Sequence, residues 1–155
     1  MRPKLEYCVQ FWSPYYRKDM KKLKKIQRRV TRMIPRLRNK AYEERLEELN
    51  LFSLTKRRMG GDLIEVFKIF EGYSNLNVNK YFNIDNSNTT RNNGCKIIHK
   101  RFKSHEAKYF FCNRVVNIWN KLPSEIVNSS SIPSFKNKID KYLKANPQQA
   151  LFLSE

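Results

Sequence analysis

The chain has 155 residues, with 32 lysines and arginines against 14 aspartates and glutamates and a formal charge of +18. A hydrophobic content of 40% with 13% aromatics excludes a disordered basic tail, so the charge sits on a folded body of one domain, or of two small ones sharing a core. No apolar run reaches the roughly 18 residues that a bilayer demands, and a pI near 10 makes nucleic acid the expected partner, ahead of a membrane surface.

The N-terminal residues, broken by Glu6, Tyr7 and Gln10, do not make a signal-peptide core. An intracellular location, nucleus or cytoplasm, is expected, and the sequons at Asn88 and Asn128 carry no weight. Cys8, Cys95 and Cys112, an odd number at irregular spacing, read as reduced thiols. Leu5, Cys8, Val9 and Trp12 repeat at helical spacing behind an abrupt, capless start, and Ser13-Pro14 stops the pattern.

From Arg17 to Lys40 run twelve cations against one acid, Asp19, a local charge of +11. A helix over 19–34 places Met20, Leu23, Ile26, Val30 and Met33 at spacings of three, three, four and three, which predicts one buried apolar stripe. Lys21, Lys22, Lys24, Lys25, Arg28, Arg29 and Arg32 then occupy the flanks and back. Solvated helix faces usually interleave Glu with Lys at i,i+4. Here the carboxylates are missing, and the pattern suits a helix lying along a polyanion. Tyr15 and Tyr16 beside it are placed to stack on bases or sugars, whereas Trp12 is expected in the core.

Pro35 ends that helix. Asn39 is the expected N-cap of the next, 40–49, in which Glu43, Glu44, Glu47 and Glu48 are expected to fold back on the basic helix. Ser53 is read as the cap of a helix running to Phe70, with Gly72 closing it. Its apolar residues wrap more than one face, predicting a central helix. Gly60-Gly61 inside it implies close approach of a backbone or of a phosphate.

The asparagine-rich stretch 73–94 reads as a surface loop or a pair of short strands, dividing a basic helical bundle, 1–72, from a C-terminal helical subdomain, 95–144, with a tail, 145–155. Residues 95–101 form a short β segment. Lys96, Lys100, Arg101 and Lys103 make a second basic patch there. A helix is predicted over 107–121 with Phe110, Phe111 and Trp119 in the core, and another over 133–143 behind Ser131. The fold class is therefore mainly α.

No phosphate-binding glycine loop, His-Glu helix motif, nucleophile elbow or paired aspartates appear, so no catalytic residue and no cofactor are expected. Cys95, His99, His105 and Cys112 are zinc-ligand types, but their spacing lacks the tight Cys-x2-Cys knuckle, and no metal is expected.

Three runs in one order, MRPKLEYCVQFWSPYYRKDMKKLKKIQRRVTRMI, YEERLEELNLFSLTKRRMGGDLIEVFKI and FFCNRVVNIWNKLPSEIVNSSSIPSFKNKIDKYL, resemble the C-terminal region of reverse transcriptases from non-LTR (LINE-type, jockey-like) retrotransposons. The resemblance spans nearly the whole chain. It implies a helical thumb and the segment after it, gripping a template–primer duplex of RNA–DNA or DNA beside an RNA-directed DNA polymerase. The family's catalytic aspartates lie in a palm upstream of the match to Arg2-Pro3-Lys4-Leu5-Glu6-Tyr7, so none is carried onto this chain, and the abrupt start is what a truncated element would leave. Duplex phosphates would be contacted by Lys21, Lys22, Lys24, Lys25, Arg28, Arg29 and Arg32, with Tyr15, Tyr16, Lys100 and Arg101 in support. The alternative is a protein-interaction module packing on the palm or on itself through Leu5, Val9 and Trp12.

Overall fold

The basic run forms a helix whose ends follow from its sequence. Tyr16 enters in extended backbone, Asp19 lies in the first turn, and Ile34 is pushed extended before Pro35. The computed structural model describes residues 7–85 and 94–146. Its elements are α1 (Val9–Trp12), α2 (Arg17–Arg32), a 3-10 turn (Pro35–Leu37), α3 (Tyr42–Glu48), α4 (Leu54–Phe70), α5 (Val78–Tyr81), β1 (Asn83–Ile84), β2 (Ile97–Ile98), a 3-10 turn (Glu106–Tyr109), α6 (Phe111–Arg114), α7 (Val116–Trp119), α8 (Ser124–Val127) and α9 (Ile132–Ala145). The fold is mainly α. No described helix is long and apolar enough to cross a membrane.

The central helix is α4, as its all-round apolarity predicts. Leu63, Val66, Phe67 and Ile69 are buried, and α9, α1 and α2 pack on it from different sides. Ser53 caps it by accepting from the Lys56 amide at 3.3 Å. At the other end Gly72, at φ 72°, lets the Tyr73 amide return to the Lys68 carbonyl at 2.9 Å, the Schellman closure that favours glycine. The core joins α4 to Val115, Trp119, Phe135, Ile139 and Leu143, so it runs across the 73–94 stretch. Phe67 stacks on Phe135 at 4.3 Å between centroids and Phe70 on Trp119 at 5.4 Å. The Trp119 indole N–H donates to the Cys95 carbonyl at 2.8 Å, which satisfies the one polar atom of a fully buried ring.

The two short strands pair antiparallel, Asn83 opposite Ile98 and Ile84 opposite Ile97. Asn120 closes the other edge of β2: its amide accepts from the Ile97 N–H at 2.9 Å and donates to the Ile97 carbonyl at 2.8 Å.

Several expectations need correction. The helix over 107–121 is broken into a 3-10 turn, α6 and α7, because Phe110 is extended and the Asn113 side chain takes the Ala107 carbonyl at 2.6 Å, a local bond that competes with helix. Phe110 is consequently 64% exposed and Trp12 39%, so neither is a core residue. Asn39 does not cap α3; the Glu44 carboxylate reaches back to the Ala41 amide at 3.1 Å instead. An added Cβ at Gly60 would meet only Leu143 Cδ1, at an ordinary 3.7 Å, and one at Gly61 would meet nothing within 4 Å, so no backbone approach demands the pair. Leu5 and the 147–155 part of the tail lie outside the described residues.

Candidate nucleic-acid interface

The face on which α2 packs is not the expected stripe. Spacings of three, three, four and three average below the 3.6 residues of a turn, and each i,i+3 step drifts by about 60°. Met20 and Leu23 are therefore half-buried, whereas Ile26, Val30 and Met33 are 37, 44 and 75% exposed. The residues that do face the body, Met20, Leu23, Gln27, Thr31 and Ile34, are spaced three, four, four and three and hold the period.

At the middle of that face sits Gln27. Its amide oxygen accepts from the Tyr42 hydroxyl at 2.7 Å and from the Leu54 N–H at 3.1 Å, and its amide nitrogen donates to the Phe52 carbonyl at 3.1 Å. One side chain thus ties α2 to α3 and to the first residue of α4, whose N–H has no partner within its helix. Arg45, 7% exposed, adds a bond to the Arg28 carbonyl at 3.3 Å.

The glutamates of α3 do not fold back on α2. Glu48 pairs with Lys40 and Arg36, in and just after the preceding 3-10 turn, which holds its carboxyl below the usual range, chiefly through the Lys40 hydrogen bond. The α2–α3 contact is made by Tyr42, over whose ring lie the Lys24 ammonium at 5.3 Å and the guanidinium groups of Arg28 at 4.9 Å and Arg45 at 5.9 Å. Burial raises the Tyr42 pKa, so the phenol stays a donor to Gln27. The attraction is between cations and a ring face rather than between ions.

Lys24 and Arg28 thus lean toward α3. Lys21, Lys22, Lys25, Arg29 and Arg32 are exposed on the outer side, Lys22 also meeting Asp19 at 3.1 Å. With Arg17 and Lys18 they fill an arc of about 140° around the axis, and 16 residues extend it over about 24 Å. Beside this arc lies the exposed apolar sector Ile26, Val30 and Met33. The helix has three sectors, one packed, one cationic and one apolar and bare.

Tyr16 is 57% exposed. Tyr15 is half-buried, its ring 4.1 Å from that of Tyr16 and stacked on Tyr109 at 4.5 Å, and its hydroxyl pKa is pushed up to about 12 by the hydrogen bond with Tyr16. Lys100 and Arg101 are exposed, and Lys100 donates to the Tyr81 carbonyl at 3.3 Å. The zinc-type residues are not gathered: His99 meets Asn117 at 2.8 Å, His105 meets Tyr109 at 3.5 Å, and no group of three metal-ligating side chains occurs among the described residues.

Two features were missed by the sequence reading. One is Gln27, the lone side-chain amide of α2. The other is Arg114, which forms a two-pronged pair with Asp62, Nε to Oδ2 and Nη2 to Oδ1, both at 2.9 Å. Its remaining N–H groups reach the carbonyls of Gln10, Tyr109 and Val9 at 3.1 to 3.3 Å, so all five donors of the guanidinium are engaged. Burial pushes the Asp62 carboxyl up, and the bonds and charge of Arg114 pull it part of the way back. No sequence signal distinguishes this arginine among so many. Compared with family models, curated proteins and solved structures, the chain matches none.

Proposed function

We propose that this chain grips an RNA–DNA or DNA duplex through its phosphates, with no chemistry of its own, as a thumb-region fragment of a non-LTR retrotransposon reverse transcriptase working inside the cell. The carrying observation is the uninterrupted outer arc of α2, with Lys21, Lys22, Lys25, Arg29 and Arg32 exposed on one side. The resemblance of the three long runs supplies the family, and its palm would supply the catalysis. The contacts would be sequence-blind, since phosphates position a protein without reporting bases.

Five engaged phosphates predict a slope of log K against log salt of about −4 to −5. Titrating a short duplex at several salt concentrations tests it: replacing Lys21, Lys25 and Arg29 by alanine is expected to flatten the slope by two to three units, about one per phosphate contact. A wild-type slope shallower than about −2, or no loss in the triple variant, would refute the reading.

A second reading, an interaction module seeking the palm or a second copy, has its own observation. Phe11, Trp12 and Phe110, 90, 39 and 64% exposed, border a groove of about 1190 Å³ that also includes Leu23 and Leu76. Self-association on a sizing column without duplex binding would favour it.

A further inference from the structure

A second, smaller hollow lies beside the start of α2. It is about 170 Å³ and is enclosed by Tyr15 and Met20, by Thr55 and Arg58 of α4, and by residues between His99 and Asn117. Its walls are of two kinds. The stacked rings of Tyr15 and Tyr109, 17° from parallel, and the 41% exposed Phe102 are flat and apolar. Against them stand cations: Arg58, only 5% exposed, and Lys108 at the surface.

No carboxylate is among the described residues that line it. Thr55 and Arg58, one turn apart on α4, line it from the side of that helix. The imidazole Nε2 of His99 and the Asn117 amide oxygen, 2.8 Å apart, present a fixed polar edge between the two kinds of wall.

A hollow that combines aromatic faces, a buried guanidinium and an amide edge suits a flat heterocycle carrying a phosphate. Its size sets a limit. The space of about 170 Å³ is well below the roughly 300 to 1,000 Å³ of pockets that enclose whole ligands, so it has room for one base and not for the sugar and phosphate with it. We propose that it takes the base of one unpaired nucleotide, against Tyr15, Tyr109 and Phe102, with the sugar and phosphate at its mouth beside the surface Lys108. The inference rests on the duplex-binding reading only for where that nucleotide comes from: Met20 borders the hollow from the helix that carries the cationic arc.

The test uses the full chain and three probes: a blunt duplex, the same duplex with a one-nucleotide overhang, and adenosine monophosphate set against inorganic phosphate. The overhang is expected to tighten binding about ten-fold, the gain from one well-stacked base. The mononucleotide should quench tyrosine fluorescence to saturation where inorganic phosphate does not. Phe102→Ala should erase both effects and leave blunt-duplex affinity unchanged. Asn117→Ala, an exposed position, serves as a second variant should the first fold poorly. Equal affinity for blunt and overhanging duplexes, or a mononucleotide that binds no better than phosphate, would overturn the proposal. Saturable, Phe102-dependent mononucleotide binding without binding of either duplex would uphold the hollow and overturn the duplex reading alone.

Discussion

The α2 layer and the α4–α9 core are built on opposite terms. In the core, Trp119, Phe67, Phe135 and Ile139 are essentially inaccessible and meet one another through ring faces and methyl groups. On α2, Thr31 is the only fully buried residue, and the helix is held through the amide of Gln27 and the ring of Tyr42 while three apolar side chains face outward. The core gains from the area it removes from water; the layer gains from satisfying groups that would otherwise be orphaned. A helix attached in this second way keeps more than half of its circumference for something else.

The largest effect is expected on the core side, at Arg114, which ties α4 to α1 and to the 3-10 turn before α6. Arg114→Met leaves the Asp62 carboxylate, whose side chain is 6% exposed, buried without its partner, and stability should fall by about 3–5 kcal/mol. The pH dependence gives a sharper signature. With its pKa raised in the fold, Asp62 binds more protons folded than unfolded, so stability falls as pH rises from the ordinary aspartate range through the raised value. Removing Arg114 removes most of the downward pull, leaving only the charge of Arg58, and widens that window upward. The variant should therefore recover more stability than the wild type between pH 7 and about 5, read from urea midpoints. Equal recovery would mean that Asp62 finds another partner.

Next in size is Gln27→Ala, which strands the Leu54 N–H, the Phe52 carbonyl and the Tyr42 hydroxyl at once. A loss of about 1–3 kcal/mol is expected, with amide exchange accelerated first in α2 and not in α4. Uniform acceleration through both helices would show that the layer and the core unfold as one unit, erasing the distinction drawn between them.

What could be read from the sequence follows the same divide. The sequence located α4 and α9, the cap Ser53 and the closing Gly72, because burial and backbone chirality leave local marks, and it placed Ser131, which proves to be the cap of α9, just ahead of that helix. It failed on the rotation of α2, where Ile26, Val30 and Met33 look like a core stripe and are bare. It failed again between Glu106 and Trp119, where the Asn113 side chain overrides helix propensity. The cations of the candidate interface were legible one by one, but Lys24 and Arg28 could not be separated from the rest without the Tyr42 ring beneath them. Arg114 depends on bonds to residues 52 to 105 positions away in the chain, a pairing that no window of sequence contains.

A smaller, favourable effect is expected inside α4. Gly61 sits in a helix with open space around its missing Cβ, so Gly61→Ala should stabilise by about 1 kcal/mol. If the gap serves a phosphate instead, the same variant will lose duplex affinity while gaining stability.

The smallest effect separates the two possible rotations of α2 most cleanly. Replacing Ile26, Val30 and Met33 together by glutamine should shift stability by no more than about 0.5 kcal/mol per site, as surface substitutions do, because these side chains are 37, 44 and 75% exposed. Were they the buried stripe that their spacing suggests, each would cost more than about 1 kcal/mol and the triple variant would not stay folded. The duplex salt slope should be unchanged, since no cation moves. If affinity for the duplex drops while the slope holds, the apolar sector lies against the nucleic acid beside the cationic one. If self-association disappears instead, that sector is covered by protein, and the α2 layer is an interface of a different kind from the arc next to it.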